Sequence, residues 1–317
     1  IDYSDSTQGA LLLEPQRINL IINSEDFSAS SWTKTGTASV TNNTTISPDG
    51  TQNADTLNLL SGNFFYQPVV GVGTFTMSCY VKVPSGTLDF KMQTFSSTDG
   101  AIQSPLFVAT TEWQRFEHTV TVTVNSSFYP IQVSSLVGGD FEIYGGQVEQ
   151  GSYATSYIPT DGAIATRNQE ICKNATPEIN SAEGVLYAEI AALANSGGDN
   201  RLSISDGTLN NRVSFAYSPN PSKAYIIVKM NGISVINSLN LEIGSHLENK
   251  KIAISYKSGD TKVFLNGTEI KSSTMVFSGA QLNNLSLMNA TQNSSLAFEG
   301  NTKDLKIYNT ALTDAQL

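Results

Sequence analysis

Carboxylates are the commonest ionisable side chains in this 317-residue sequence, with 28 Asp and Glu against 18 Lys and Arg and only two His. Hydrolysis of a glycosidic bond needs two of them opposed across it, about 5–5.5 Å apart for retention or about 6.5–9.5 Å for inversion. The nearest approach is Asp140-Phe141-Glu142, two carboxylates on one face of a strand, but the next, Glu149, lies beyond the strand-breaking Gly145-Gly146. With no third partner, no catalytic residue is assigned and the chain is expected not to be an enzyme. His118 and His246 stand one in each half, without a second His or a Cys at ligand spacing, which argues against zinc and against a Ser-His-Asp triad. Cys79 and Cys172 are also one to a half, so no disulfide is expected.

The charge is unevenly placed. Residues 1–168 hold 15 Asp and Glu against 6 Lys and Arg, and residues 169–317 hold 13 against 12. The only basic doublet is Lys250-Lys251. A nucleic-acid partner requires a clustered basic face to displace counterions, so it is set aside together with anionic membranes. No apolar run approaches the roughly 20 residues of a bilayer-spanning helix, so no membrane insertion is expected. The sequence opens at Ile1 rather than Met and stops where Thr313-Asp314-Ala315-Gln316 has the spacing of a helix capping box, so it reads as a segment of a longer protein.

The elements that position these residues are strands. Phe75 to Val83 alternates apolar odd positions with polar or amphipathic even ones, the mark of a strand with one buried face. Phe116–Val124 repeats the scheme with even positions inward, and further strand-like runs occur at Leu88–Phe95, Ile131–Val137 and Phe141–Val148. Gly, Pro, Asn and Asp separate them at short intervals, as in a sandwich of sheets. The pattern lapses from Tyr157 and resumes at Gly184. Beyond it, Lys251–Tyr256, Thr261–Leu265 and Thr268–Ile270 form two consecutive hairpins, the second turning at Asn266-Gly267, a pair suited to the positive φ of a type I′ turn.

Strand parity assigns directions. If Phe75, Met77, Cys79, Val81 and Val83 point inward, Tyr80 and Lys82 point out. By the same count Lys91, Gln93 and Phe95 leave the core, as do Glu142 and Tyr144. Phe64-Phe65-Tyr66 cannot all face inward, and Phe65 is a candidate for exposure. Arg201, Arg212 and Tyr225 fall on polar parity and read as solvated decoration.

A family pattern attaches to particular residues. Leu11-Leu12-Leu13-Glu14-Pro15-Gln16-Arg17-Ile18-Asn19-Leu20, then Asn23-Ser24-Glu25-Asp26-Phe27 and Trp32, then Pro48-Asp49-Gly50-Thr51, Tyr80-Val81-Lys82, Trp113-Gln114-Arg115-Phe116 and the run Gly145 to Thr160 resemble the carbohydrate-binding-module-like jelly roll of bacteriophage tail and fibre proteins. Residues 183–317, with the Ile252–Ile270 meander and Leu305-Lys306-Ile307-Tyr308, resemble a concanavalin A-like lectin/glucanase domain of the laminin-G type.

The resemblance implies an all-β chain of two tandem antiparallel β-sandwiches, a jelly roll over 1–165, a linker over 166–182 and a lectin-like sandwich over 183–317. It further implies a non-catalytic adhesin of the phage virion, exposed to the medium, with polysaccharide or host-surface glycan, other virion proteins and further copies of itself as partners. The alternative is an architectural spacer that binds no glycan. A saccharide needs flat apolar faces beside hydrogen-bonding side chains on a rigid surface. Tyr80, Lys82, Lys91, Gln93, Phe95 and Tyr144 would supply one such patch if their strands are neighbours in one sheet, with Tyr129 presented on a loop. Trp32 and Trp113 sit in motif stretches and are placed in the core. A structural calcium, common in such folds, would draw on Glu25, Asp26, Asp49 and Asp55.

Overall fold

The structure, a computed structural model, describes residues 9–133, 136–194 and 201–317. It is all-β, with antiparallel pairing between its strands and one isolated parallel bridge, Arg201 to Ala297, and divides into one unit of residues 16–168 and another of residues 1–15 with 169–317. No described helix is long and apolar enough to cross a membrane.

The 16–168 unit is a sandwich. One sheet, here the Tyr80 sheet, orders the strands Gln114–Val122, Gly73–Lys82, Gly139–Gln150, Ala54–Leu59 and Ser39–Thr45. The other, the Tyr129 sheet, orders Phe107–Ala109, Leu88–Ser96, Ser126–Gln132, Phe65–Val69 and Thr33–Lys34, with Gly100–Gln103 also paired to Leu88–Ser96. The expected alternation holds: Phe75, Met77, Cys79 and Val81 from one sheet meet Phe90, Met92, Phe128 and Ile131 from the other in a single buried core. Phe27, Trp32 and Phe65 close one end of it, the Trp32 and Phe65 rings stacked at 4.7 Å between centroids. Each such ring taken from water stabilises the fold by about 1.5–3 kcal/mol. Of the run expected as a strand over Ile131–Val137, the start belongs to the strand Ser126–Gln132 and residues 134–135 lie outside the described residues; Tyr129 is thereby within a strand rather than on a loop.

The motif residues that carry the resemblance form a buried polar network in this unit. Asn19 donates to the carbonyls of Gly146 and Ile158 and accepts from the Ile21 and Val148 N–H groups. Glu149, fully buried, accepts from the Thr155 N–H and hydroxyl and from the Gln147 amide, and pairs with Arg17. Buried polar groups persist only when bonded in this way, so the motif is a set of mutually dependent partners.

In the second unit, one sheet orders Leu11–Leu13, Gly300–Tyr308, Glu183–Ala192, Lys250–Lys257, Thr261–Leu265 and Thr268–Ser273. The other, the Tyr225 sheet, orders Ile233–Glu242, Lys223–Met230, Arg212–Tyr217, Arg201–Ser205 and Asn284–Ser286. Both expected hairpins are present, and Asn266 and Gly267 take φ of 50° and 78°. Leu11–Leu13 thus pairs within this second sandwich, not within the jelly roll that follows it in sequence. The span read as a linker is in part paired: Ala165–Arg167 with Arg17–Asn19 in the first unit, and Ala175 with Leu285 in the second.

Candidate functional site

The seven residues expected to bind sugar lie on two sheets. Tyr80, Lys82 and Tyr144 belong to the Tyr80 sheet, whereas Lys91, Gln93, Phe95 and Tyr129 belong to the Tyr129 sheet. The consecutive strands Gly73–Lys82 and Leu88–Ser96 cross from one sheet to the other through the Pro84-Ser85-Gly86 connection. Outward residues on opposite sheets of a sandwich face opposite ways. The single patch joining Tyr80 to Phe95 is therefore corrected to two separate faces.

On the Tyr80 face the aromatic rings are already engaged. The Arg115 guanidinium lies 5.6 Å from the Tyr80 ring centre and the Lys82 ammonium 5.1 Å from that of Trp113, while Lys82 also pairs with Glu142 at 3.1 Å. Trp113, expected in the core, is instead half-buried on this face, its indole N–H donating to the Ile46 carbonyl. Tyr144 is outward by parity yet buried under the loops that carry Glu25, Asp49 and Tyr157. A bulge at Gly145-Gly146 permits this crowding: a Cβ on Gly145, at φ +65°, would stand 3.3 Å from Tyr80 and 3.4 Å from Tyr157.

The four carboxylates expected to hold calcium are spent on protein donors. Asp55 accepts the N–H groups of Phe27 and Asn43, and Asp26 those of Ser28 and Ala29 together with the Ser28 hydroxyl. Asp49 accepts from the Ser47 hydroxyl and from the Thr51 N–H and hydroxyl, and it shares Tyr144 and Asn53 with Glu25. The Ser47 and Thr51 bonds hold the Asp49 carboxyl well below the usual carboxylate range, whereas burial raises that of Asp55. Burial, followed by the Asp49 and Glu25 carboxylates, pushes the Tyr144 hydroxyl up, so it stays a proton donor to them. Among the described residues no group of three or more His, Cys, Asp and Glu is arranged to hold a metal.

On the Tyr129 face Tyr129 and Gln93 are themselves buried, but the rings flanking them are open. The Tyr66 and Tyr129 rings lie 4.9 Å apart, with Phe64 edge-on to Tyr129 at 6.1 Å. Phe64 and Phe95 are 37% and 45% exposed, which leaves apolar ring surface open to solvent. Beside them runs a chain of polar side chains in which Lys91 donates to Gln103 at 3.0 Å and Gln103 donates to Gln93 at 2.7 Å. Cross-strand pairing sets Gln103 against Gln93 and Gln93 against Tyr129, giving one row of amides and rings. Burial pushes the Tyr129 hydroxyl up, with Tyr66 adding to the effect. Phe65, the ring expected to be exposed, is the one fully buried, and Phe64 and Tyr66 take the outer face. An out-in-out parity in Phe64-Phe65-Tyr66 was the signal available for them.

Residues 190–317 match the family model of the concanavalin A-like lectin/glucanases superfamily, which is less than half of the chain. No curated protein matches at a significant level. Among solved structures, the xylan-binding CBM22-1 domain of Xyn10C from Paenibacillus barcinonensis is similar at 13% identity and a TM-score of 0.34, over 45% of this chain and 96% of that one. The CBM22-1-CBM22-2 tandem domain of the same protein is similar at 9% identity and a TM-score of 0.35, over 94% and 99%. Domains LG4-5 of the mouse laminin alpha1 chain are similar at 8% identity and a TM-score of 0.32, over 74% and 82%.

Proposed function

We propose that the protein is a non-catalytic glycan-binding segment, and that a neutral saccharide lies along the Tyr129 face. The observation that carries this is the placement of exposed Phe64 and Phe95 beside the hydrogen-bonded Lys91, Gln103 and Gln93 side chains on one sheet. Aromatic faces pack against the C–H side of pyranose rings, and amides and an ammonium meet hydroxyl groups. A sheet holds both at fixed spacing, so little ordering cost falls on binding.

The setting, by resemblance of the motif residues, is the surface of a bacteriophage particle, where the segment serves as an adhesin of a tail or head fibre. There, shallow sites of about millimolar to micromolar affinity suffice, because several copies on one particle raise the effective concentration.

Affinity electrophoresis of the chain in gels containing soluble polysaccharides tests the proposal. Retardation is expected for the native chain and is lost in the F64A/F95A double variant, whose melting temperature stays near native because both rings are exposed. No retardation in any glycan sinks the adhesin and leaves the architectural role. Falling polymer viscosity on incubation would assign catalysis instead.

A further inference from the structure

The Tyr225 sheet of the second unit carries a cluster of cations on its outer face. Val213, Phe215 and Tyr217 enter the core, so Arg212, Ser214 and Ala216 point away from it, as do Arg201, Ser203 and Ser205 on the adjacent strand. Pairing sets Arg212 between Ser205 and Lys229, and Ala216 between Arg201 and Tyr225. The row of Ser203 and Ser214 separates the two arginines, which therefore stand on one face of adjoining strands.

Arg212 is not the solvated decoration that its parity suggests. It lies in the central strand of five and is half-buried, and its Nε is sealed from solvent without a hydrogen-bond partner. No carboxylate pairs with Arg212 or Lys229 among the described residues. Burial and the neighbouring Arg201 both press its guanidinium toward losing its proton, the opposite of what a counterion would do. One side of the face is walled by the segment after Asn284–Ser286, since the Ser203 and Ser205 hydroxyls donate to the carbonyls of Met288 and Ala290. Keeping the Arg212 guanidinium half-buried across from Lys229 without a carboxylate costs stability, and an oxyanion placed there would relieve it.

We infer that this face binds the anionic groups of an acidic polysaccharide, with Arg212 and Lys229 taking a carboxylate or sulfate and Tyr225 packing against the adjoining sugar ring. A guanidinium fork matches either oxyanion through paired N–H bonds. A nucleic acid fits less well: its charge density calls for a continuous basic stripe, and this chain has a net charge of −10. An acidic polysaccharide carries about one charge per sugar or two, matched to a few cations. The inference concerns the second unit and stands apart from the neutral-glycan face of the first.

The test is affinity electrophoresis of the full chain in gels containing polygalacturonate, dextran sulfate, neutral dextran or double-stranded DNA. Retardation is expected with polygalacturonate, dextran sulfate or both, the pair deciding between carboxylate and sulfate. It should shrink at least tenfold in apparent affinity in R212Q/K229A and persist in F64A/F95A. A thermal scan accompanies it: R212M, which removes an uncompensated charge, should melt no lower than the native chain and lose the rise in melting temperature that the polyanion gives. Equal retardation of R212Q/K229A and native chain, or retardation by DNA alone, overturns the inference.

Discussion

Arg17 Nε lies 3.4 Å from the Glu149 carboxylate, whose side chain is fully buried, and joins residues 132 positions apart. Glu149 also accepts two bonds from Thr155, so the pair anchors the first strand of the unit to the turn that follows its longest strand. E149A leaves Arg17 and the Thr155 N–H without their partner, and is expected to destabilise the 16–168 unit by about 3–5 kcal/mol. The urea unfolding midpoint measures it; a change under about 1 kcal/mol would mean that water replaces the carboxylate.

Within Phe64-Phe65-Tyr66, neighbouring phenylalanines should respond oppositely. F65A empties a site stacked on Trp32 and costs about 3–5 kcal/mol, whereas F64A, exposed, costs less than about 1 kcal/mol. Comparable losses in denaturant melts would reverse the assignment of faces.

The choice between faces predicts a further difference. Q93A/Q103A removes the amide chain and should weaken glycan binding about tenfold, the equivalent of about 1.4 kcal/mol. Y80A should leave it unchanged, since that ring lies on the opposite sheet. Titration of both variants with a retarding polysaccharide decides it, and loss of binding in Y80A alone would move the site to the other face.

Asp49 gives a pH dependence with a definite sign. Its carboxyl is more acidic folded than unfolded, so its contribution is present above the unfolded value of about 3.9 and fades as the pH falls below it. The native chain should lose more stability between pH 5 and pH 2 than D49N does, by urea midpoints at each pH. Parallel curves would show that its bonds do not survive in solution.

The two thiols should differ in reactivity. Burial pushes the Cys79 thiol up to about 12, and it faces the core, whereas Cys172 is partly exposed. Iodoacetamide should label the folded chain at Cys172 and reach Cys79 only in denaturant, as peptide mass mapping would reveal.

The sequence by itself determined the all-β class, the in-out alternation of strands such as Phe75–Val81, and the turn at Asn266-Gly267, because side-chain period and turn conformation are local properties. It determined that Tyr80, Lys91 and Phe95 leave the core, but not that Tyr80 and Phe95 leave it on opposite sides. Parity refers to the core between two sheets and carries no mark of which sheet a strand joins; that choice rests on long-range pairing after the chain crosses at Pro84-Ser85-Gly86. The fates of Tyr144 and Arg212 were equally out of reach. One is outward by parity but covered by distant loops, and the other polar by parity but half-buried in a central strand. Burial on an outer face depends on what the rest of the chain lays over it, and only the tertiary structure decides that.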